Sequence, residues 1–170
     1  MSGQLPKHGI VISYGKLQIG FFGWCAALLF ALLILAALSI AWSAPVNPSD
    51  IEVMDGDTVR YLGDVYRLVG CDAPETNERA RCPEEDVLGH QATQYLEHLV
   101  RSGSVVDLTR VKCSCPVGAS EGTQWCNWGR FCARLTVDGT EVCRSLIAAR
   151  LARRYVCGAH RCPKRKSWCD

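Results

Sequence analysis

An α+β domain of five strands and two helices, held behind one N-terminal transmembrane helix, is the architecture that the sequence predicts. Three observations carry it. Within the 170 residues, positions 17–49 contain no charged side chain. Beyond them the hydrophobic pattern changes period in the order strand, strand, strand, helix, strand, strand, helix. Ten of the eleven cysteines follow the apolar run, more than a reducing compartment sustains. With 48% apolar and 21% charged residues the chain is neither disordered nor a coiled coil. A single apolar run excludes a polytopic transporter, and the length leaves room for one core.

The apolar run covers residues 21–42, where Ser39 is the one conventionally polar side chain. A helix of that length reaches about 33 Å, enough for a hydrocarbon layer of about 30 Å. Trp24 and Trp42 stand near its ends, as interfacial rings do. Lys7 and Lys16 precede it, while Asp50 and Glu52 follow. This bias orients residues 1–16 to the cytoplasm and everything after the run outward. A cleaved signal peptide is the competing reading, with Ala41-Trp42-Ser43 as a small-x-small site. Its apolar region would span only about 7–15 residues, so the length favours an uncleaved anchor over 17–44. Both readings export the remainder, and Pro45 and Pro48 make 45–50 a linker.

The elements follow in order. Residues 51–54 alternate briefly before the turn pair Asp55-Gly56, and 58–61 continue as a β-prone run. Gly63-Asp64 turns the chain into a third strand at 65–69, and the polar stretch 76–81 reads as a loop. Pro83 suits a first helical position, and Glu84, Glu85 and Asp86 complement the helix dipole. Leu88, Ala92, Tyr95, Leu96 and Leu99 then share a face, and Gly103 ends the helix. A strand at 105–111, a Gly- and Cys-rich loop at 113–128 and a strand at 131–137 come next. Asp138-Gly139 is a hairpin turn, and 145–152 reads as a short helix. This order suits a small, partly open Greek-key barrel of the OB type with a helix after its third strand.

Cys25 lies inside the apolar run, where it serves as a small hydrophobe. The other ten are Cys71, Cys82, Cys113, Cys115, Cys126, Cys132, Cys143, Cys157, Cys162 and Cys169. An even number in an exported domain reads as disulfides, with about 945 complete pairings open. Cys113 and Cys115 are too close to pair with each other, so each reaches a more distant partner. Zinc would need C-x2–4-C spacing, which Cys113, Cys115, Cys126, Cys132 and His160 fit badly.

Charge divides the exported part in two. Residues 45–100 carry 4 Lys/Arg against 12 Asp/Glu, a net of −8, and residues 101–170 carry 13 against 5, a net of +8. Acidic and basic halves on one small barrel suit a cation beside a polyanion, although ordinary surface charge is the plainer account. Asp55-Gly56-Asp57-Thr58 brings two carboxylates to a tight turn, and Asp72-Ala73-Pro74-Glu75 brings two more after the third strand. Pairing of the second and third strands would bring Asp57 and Asp72 to one end of the barrel, with Arg67 in reach. Taken singly, each is more often a turn residue, a solvated acid or an ion-pair partner.

The ordered set Asp55-Gly56-Asp57-Thr58-Val59, Arg67-Leu68-Val69-Gly70-Cys71-Asp72-Ala73-Pro74-Glu75, Gly89-x-x-Ala92 and Gly129-Arg130 closely resembles the thermonuclease (staphylococcal-nuclease-like) family. Asp138-Gly139 and residues 146–152 match that family's later hairpin and helix, so the resemblance spans 51–155 and leaves 156–170 as a basic, Cys-rich tail. It implies a calcium-dependent phosphodiesterase acting on DNA and RNA, with 3′-phosphate products. On that resemblance Asp57, Asp72 and the backbone carbonyl of Ala73 are the Ca2+ ligands. Glu75 is the general base or orienter of the attacking water, and Arg67 and Arg130 hold the phosphate. Ala73 replaces a frequent Thr, which a backbone ligand tolerates. Trp128 stands where the family usually has Tyr, and the Cys-rich tail replaces a long C-terminal helix, so disulfides are expected to brace the barrel.

Two further readings stand beside the nuclease. One is a non-catalytic OB-fold module that grips nucleic acid on a basic groove and stacking rings, for which Tyr61 and Trp128 are candidates; the other is a disulfide-rich structural domain. DNA or RNA and the membrane are the expected partners. No protein partner is implied, and a monomer is expected.

Overall fold

The turn at Asp55-Gly56-Asp57 folds the first two strands onto each other and fixes the end of the sheet at which the acidic residues gather. In the computed structural model, which describes residues 45–169, β1 (Ile51–Asp55) pairs antiparallel with β2 (Thr58–Tyr61), and β2 pairs with β3 (Asp64–Leu68). The second turn uses left-handed backbone at Leu62 and Gly63, φ 51° and 91°, the pair a tight hairpin requires. Thr58 lies opposite Arg67, and Tyr61 opposite Asp64 at the other end.

β6 (Phe131–Val137) then runs parallel to β3, with Arg67 level with Cys132. β5 (Val106–Val111) pairs antiparallel beyond it, and β7 (Thr140–Glu141) returns on β6 through the Asp138-Gly139 turn. The sheet is therefore mixed, six-stranded and ordered β1-β2-β3-β6-β5 with β7 on the side. This corrects the expected five-stranded barrel, because no ladder closes β1 onto β5 among the described residues. The strands are short, and β1 breaks register between Val53 and Asp55, leaving little edge to close. Val46 donates its N–H to the Val106 carbonyl at 2.7 Å, ahead of β1.

Two helices cover one face. α1 (Pro83–Ser102) has Pro83 at its first position, and Gly103 donates its N–H to the Leu99 carbonyl where the helix ends. Its buried stripe is Glu85, Gly89, Ala92, Leu96 and Val100, offset from the expected face so that Leu88 falls at the margin. α2 (Val142–Ala148) begins and ends earlier than the predicted 145–152. Its inner face is Val142, Cys143 and Leu146, and left-handed Arg150 (φ 61°) diverts the chain. Val59, Leu68, Leu96, Val106, Leu135 and Leu146 are buried between sheet and helices.

A second, two-stranded sheet escaped the sequence pattern: β4 (Gly70–Asp72) pairs antiparallel with β8 (Arg153–Tyr155), placing Arg153 opposite Asp72. All ten cysteines beyond the apolar run are disulfide-bonded, as Cys71–Cys143, Cys82–Cys169, Cys113–Cys132, Cys115–Cys126 and Cys157–Cys162. Cys113 and Cys115 do take separate, more distant partners. The anchor expected at 17–44, with Cys25 and the flanking tryptophans, lies outside the described residues, as do residues 1–16. Among the described residues no helix is long and apolar enough to cross a membrane.

Candidate functional site

The β1–β2 turn delivers Asp57, and the end of β4 delivers Asp72. Both side chains are nearly inaccessible, 2% and 4% exposed. Arg67, from β3 between them, joins the two: Nη1 pairs with Asp57 Oδ1, and Nη2 with Asp72 Oδ1 at 3.0 Å. The turn is pinned from within. Asp57 donates its N–H to Asp55 Oδ1 at 3.1 Å, and its own Oδ2 accepts the Ala73 N–H at 2.7 Å. Gly56 allows this approach, because a Cβ there would lie 2.6 Å from the Ala92 Cβ and 2.7 Å from the Ala73 Cβ.

Burial, then the neighbouring charges of Arg165 and Arg130, pull the Arg67 guanidinium down to about 10, with Asp72 and Asp55 opposing. It stays charged at neutral pH. Without such a cation the two buried carboxylates would repel each other.

Glu75 follows Pro74 in the loop after β4. That loop rests on α1 through Glu85, which is 2% exposed and so does more than complement the helix dipole. Glu85 accepts the Arg81 N–H at 2.9 Å and the Glu75 N–H at 3.4 Å. Gly89, one turn on, is where helix and loop touch; a Cβ would overlap the Glu75 carbonyl oxygen. Arg79 reaches back from the loop to Asp55 (3.5 Å) and Glu75 (3.7 Å).

Arg130 enters β6 from a tight loop in which Asn127, Trp128 and Gly129 all have positive φ. Its guanidinium donates to the Asn127 carbonyl at 3.1 Å and the Asn127 side-chain oxygen at 3.2 Å. Burial chiefly lowers its pKa, while Asp55 and Glu75 raise it. Arg130 thus faces the acidic cluster electrostatically without bonding to it.

The structure brings Asp57, Asp72, the Ala73 carbonyl, Glu75 and Arg67 together, with Arg130 at the margin. Tyr61 packs against the core, three residues along β2 from Thr58, about 10 Å. Trp128 is 74% exposed.

The tail contributes a residue that no motif announced. Arg165 Nε lies 2.5 Å from Asp72 Oδ1, its Nη2 donates to the Ala73 carbonyl at 3.0 Å, and its Nη1 pairs with Glu75 Oε1. Burial would lower its pKa, but Glu75 and Asp72 outweigh that and raise it.

The donor set is chemically suited to a hard divalent cation: two carboxylates and a backbone carbonyl, with a third carboxylate alongside. Arg67 engages Asp57 Oδ1 and Asp72 Oδ1, and Arg165 engages Asp72 Oδ1, the Ala73 carbonyl and Glu75 Oε1. A second group, Cys82, Glu85 and Cys169, also clusters, but both sulfurs belong to one disulfide and offer no thiolate. No protein-family model matches the chain, and no curated protein does either.

Proposed function

We propose that the exported domain is a calcium-dependent phosphodiesterase that cleaves DNA, RNA or both and leaves 3′-phosphate ends. The observation that carries this reading is the convergence of Asp57, from the β1–β2 turn, and Asp72, from the end of β4, on the Arg67 guanidinium, with the Ala73 carbonyl and Glu75 beside them. The ordered resemblance to thermonucleases supports the same assignment. Five disulfides favour an oxidising, exported location, and the apolar run at 21–42 is proposed as the tether.

Asp57, Asp72 and the Ala73 carbonyl would hold calcium, which when bound supplies Lewis-acid polarisation of a phosphate oxygen. Glu75 accepts the proton of the attacking water. Arg67, held by Asp57 and Asp72, and Arg130 would offer positive charge and N–H donors to the phosphate at neutral pH. Removing one preorganised donor of this kind costs about 10²–10³ in rate.

The test is digestion of single-stranded DNA, double-stranded DNA and RNA by the full chain, with calcium and with chelator, followed by end-group analysis. Glu75→Gln should lower cleavage by about 10²–10⁴ and leave the thermal midpoint in place. Full turnover by that variant refutes the assignment. A second reading, a nucleic-acid-binding module without catalysis, is favoured by one contact: Arg165 occupies the Glu75 carboxylate where the attacking water would have to sit. Binding without any product, in an Arg165→Ala chain as well, would select it.

A further inference from the structure

We propose that Arg165 is a tethered competitor for the divalent cation, held in the site by a disulfide-anchored strap; this rests on the calcium reading above and adds its regulation. The contacts are specific. Of the three ligand atoms assigned to calcium, Arg165 engages two, on Asp72 and Ala73, and it also takes the proposed base, Glu75. Asp72 Oδ1 already accepts from Arg67 as well as from Arg165, so a divalent cation arriving there competes for the remaining lone pair and is repelled by the Arg165 guanidinium, whose other contacts cover the Ala73 carbonyl and Glu75.

The strap is built to place that one side chain. It leaves β8, the strand hydrogen-bonded to the β4 strand that carries Asp72. The Tyr155 hydroxyl donates to the Pro163 carbonyl at 2.8 Å, ahead of Arg165. Behind it, Arg153 donates to the Ser167 carbonyl at 2.6 Å and lies over the Trp168 ring at 3.8 Å. Cys169 then closes the strap onto Cys82, next to the loop that holds Glu75. Lys164 and Lys166 are exposed while Arg165 turns inward. A segment fixed on both sides keeps its guanidinium at a high effective concentration without new contacts. Calcium must displace it, so apparent affinity falls by the fraction of molecules in which the strap is docked.

Calcium binding to the full-length chain in neutral detergent, followed by titration calorimetry, tests this in the parent, Arg165→Ala, Cys82→Ser/Cys169→Ser and Lys164→Ala. Arg165→Ala and the double serine variant, which keeps Arg165 but frees the strap, should bind calcium about tenfold or more tighter. Lys164→Ala, an equal loss of charge outside the site, should stay within about twofold. Calcium should also raise amide hydrogen exchange across 164–169 in the parent. If Arg165→Ala and Lys164→Ala shift affinity alike, or calcium binds with strap protection unchanged, the competitor is overturned. If the double variant does not fold, Arg165→Ala against Lys164→Ala decides alone. Tighter calcium binding with no cleavage by any variant keeps the competitor and removes the nuclease. Cleavage with unchanged affinity does the reverse, and no calcium binding in any chain removes both.

Discussion

Replacing Gly89 with alanine probes the contact on which the site is built. Gly→Ala inside a helix ordinarily stabilises by about 1 kcal/mol. Here the new Cβ would overlap the Glu75 carbonyl oxygen, with the carbonyl carbon and the Thr76 Cγ2 each 2.8 Å away. The threonine methyl can rotate aside. The carbonyl is backbone, and the N–H of the same residue, Glu75, is held by Glu85, so α1 or the loop must move. Overpacking of this kind costs about 1–3 kcal/mol, and backbone on both sides puts Gly89 at the upper end. Less the propensity gain, the net loss is about 2 kcal/mol. For a domain of this size that lowers the thermal midpoint by about 6–10 °C. Circular dichroism melting under non-reducing conditions measures it, with exposed Gln91→Ala as the control for propensity alone. Cleavage, where present, should fall more than the melting shift explains, because Glu75 moves with its carbonyl. A Gly89→Ala chain as stable as the parent would show that helix and loop do not touch as described, and the placement of Glu75 would fall with it.

Two further outcomes are expected. Removing Cys71–Cys143 as a double alanine variant opens a loop of sequence separation 72, for which the chain-entropy relation gives about 4 kcal/mol. Urea unfolding of the remaining four-bridge protein checks this, and an unchanged midpoint would deny the bridges their bracing role. Glu85→Gln replaces one of two acceptor oxygens with a donor that faces a backbone N–H, at a cost of about 1–3 kcal/mol. Its urea midpoint should fall, and protection of the Glu75 and Arg81 amides against hydrogen exchange should fall with it. Retained protection at both amides would mean that something other than Glu85 holds the loop.

What could be read in advance follows the reach of each interaction. Strands β1 to β3, α1, β5 and β6 were legible because a repeating hydrophobic period or an Asp-Gly turn marks each locally. The convergence of Asp57, Arg67 and Asp72 was legible for the same reason, since hairpin register carries Thr58 opposite Arg67. The β4–β8 sheet was not legible. Its strands are three residues long, too short for alternation to register, and they are held by partners more than eighty positions apart. α2 starts three residues before the predicted 145 because Cys143 looks neutral to a hydrophobic pattern, whereas its bond to Cys71 draws Val142 and Cys143 into the core. Glu85 reads as a dipole partner in any sequence, and only the loop folding back over the first turn of α1 makes it a buried acceptor.

Arg165 illustrates the remaining gap most clearly, and it changes the meaning of the charge pattern. A net of −8 over residues 45–100 against +8 over 101–170 suggests an external cation and an external polyanion. In the folded protein part of that charge is spent internally. Arg130 faces the acidic cluster from the base of β6, and Arg165 is paired directly with Asp72 and Glu75. The basic half therefore offers less free charge to a polynucleotide than its sequence count implies, and the acidic half offers fewer free oxygens to a cation. Lys164, Lys166 and Arg161 remain exposed on the strap. If the strap withdraws when calcium enters, Arg165 joins them and the surface gains positive charge as the site gains its cation. Polyanion binding and calcium binding would then reinforce each other, because each favours the same undocked strap. That coupling needs no contact between the two ligands, only a side chain that both must dislodge.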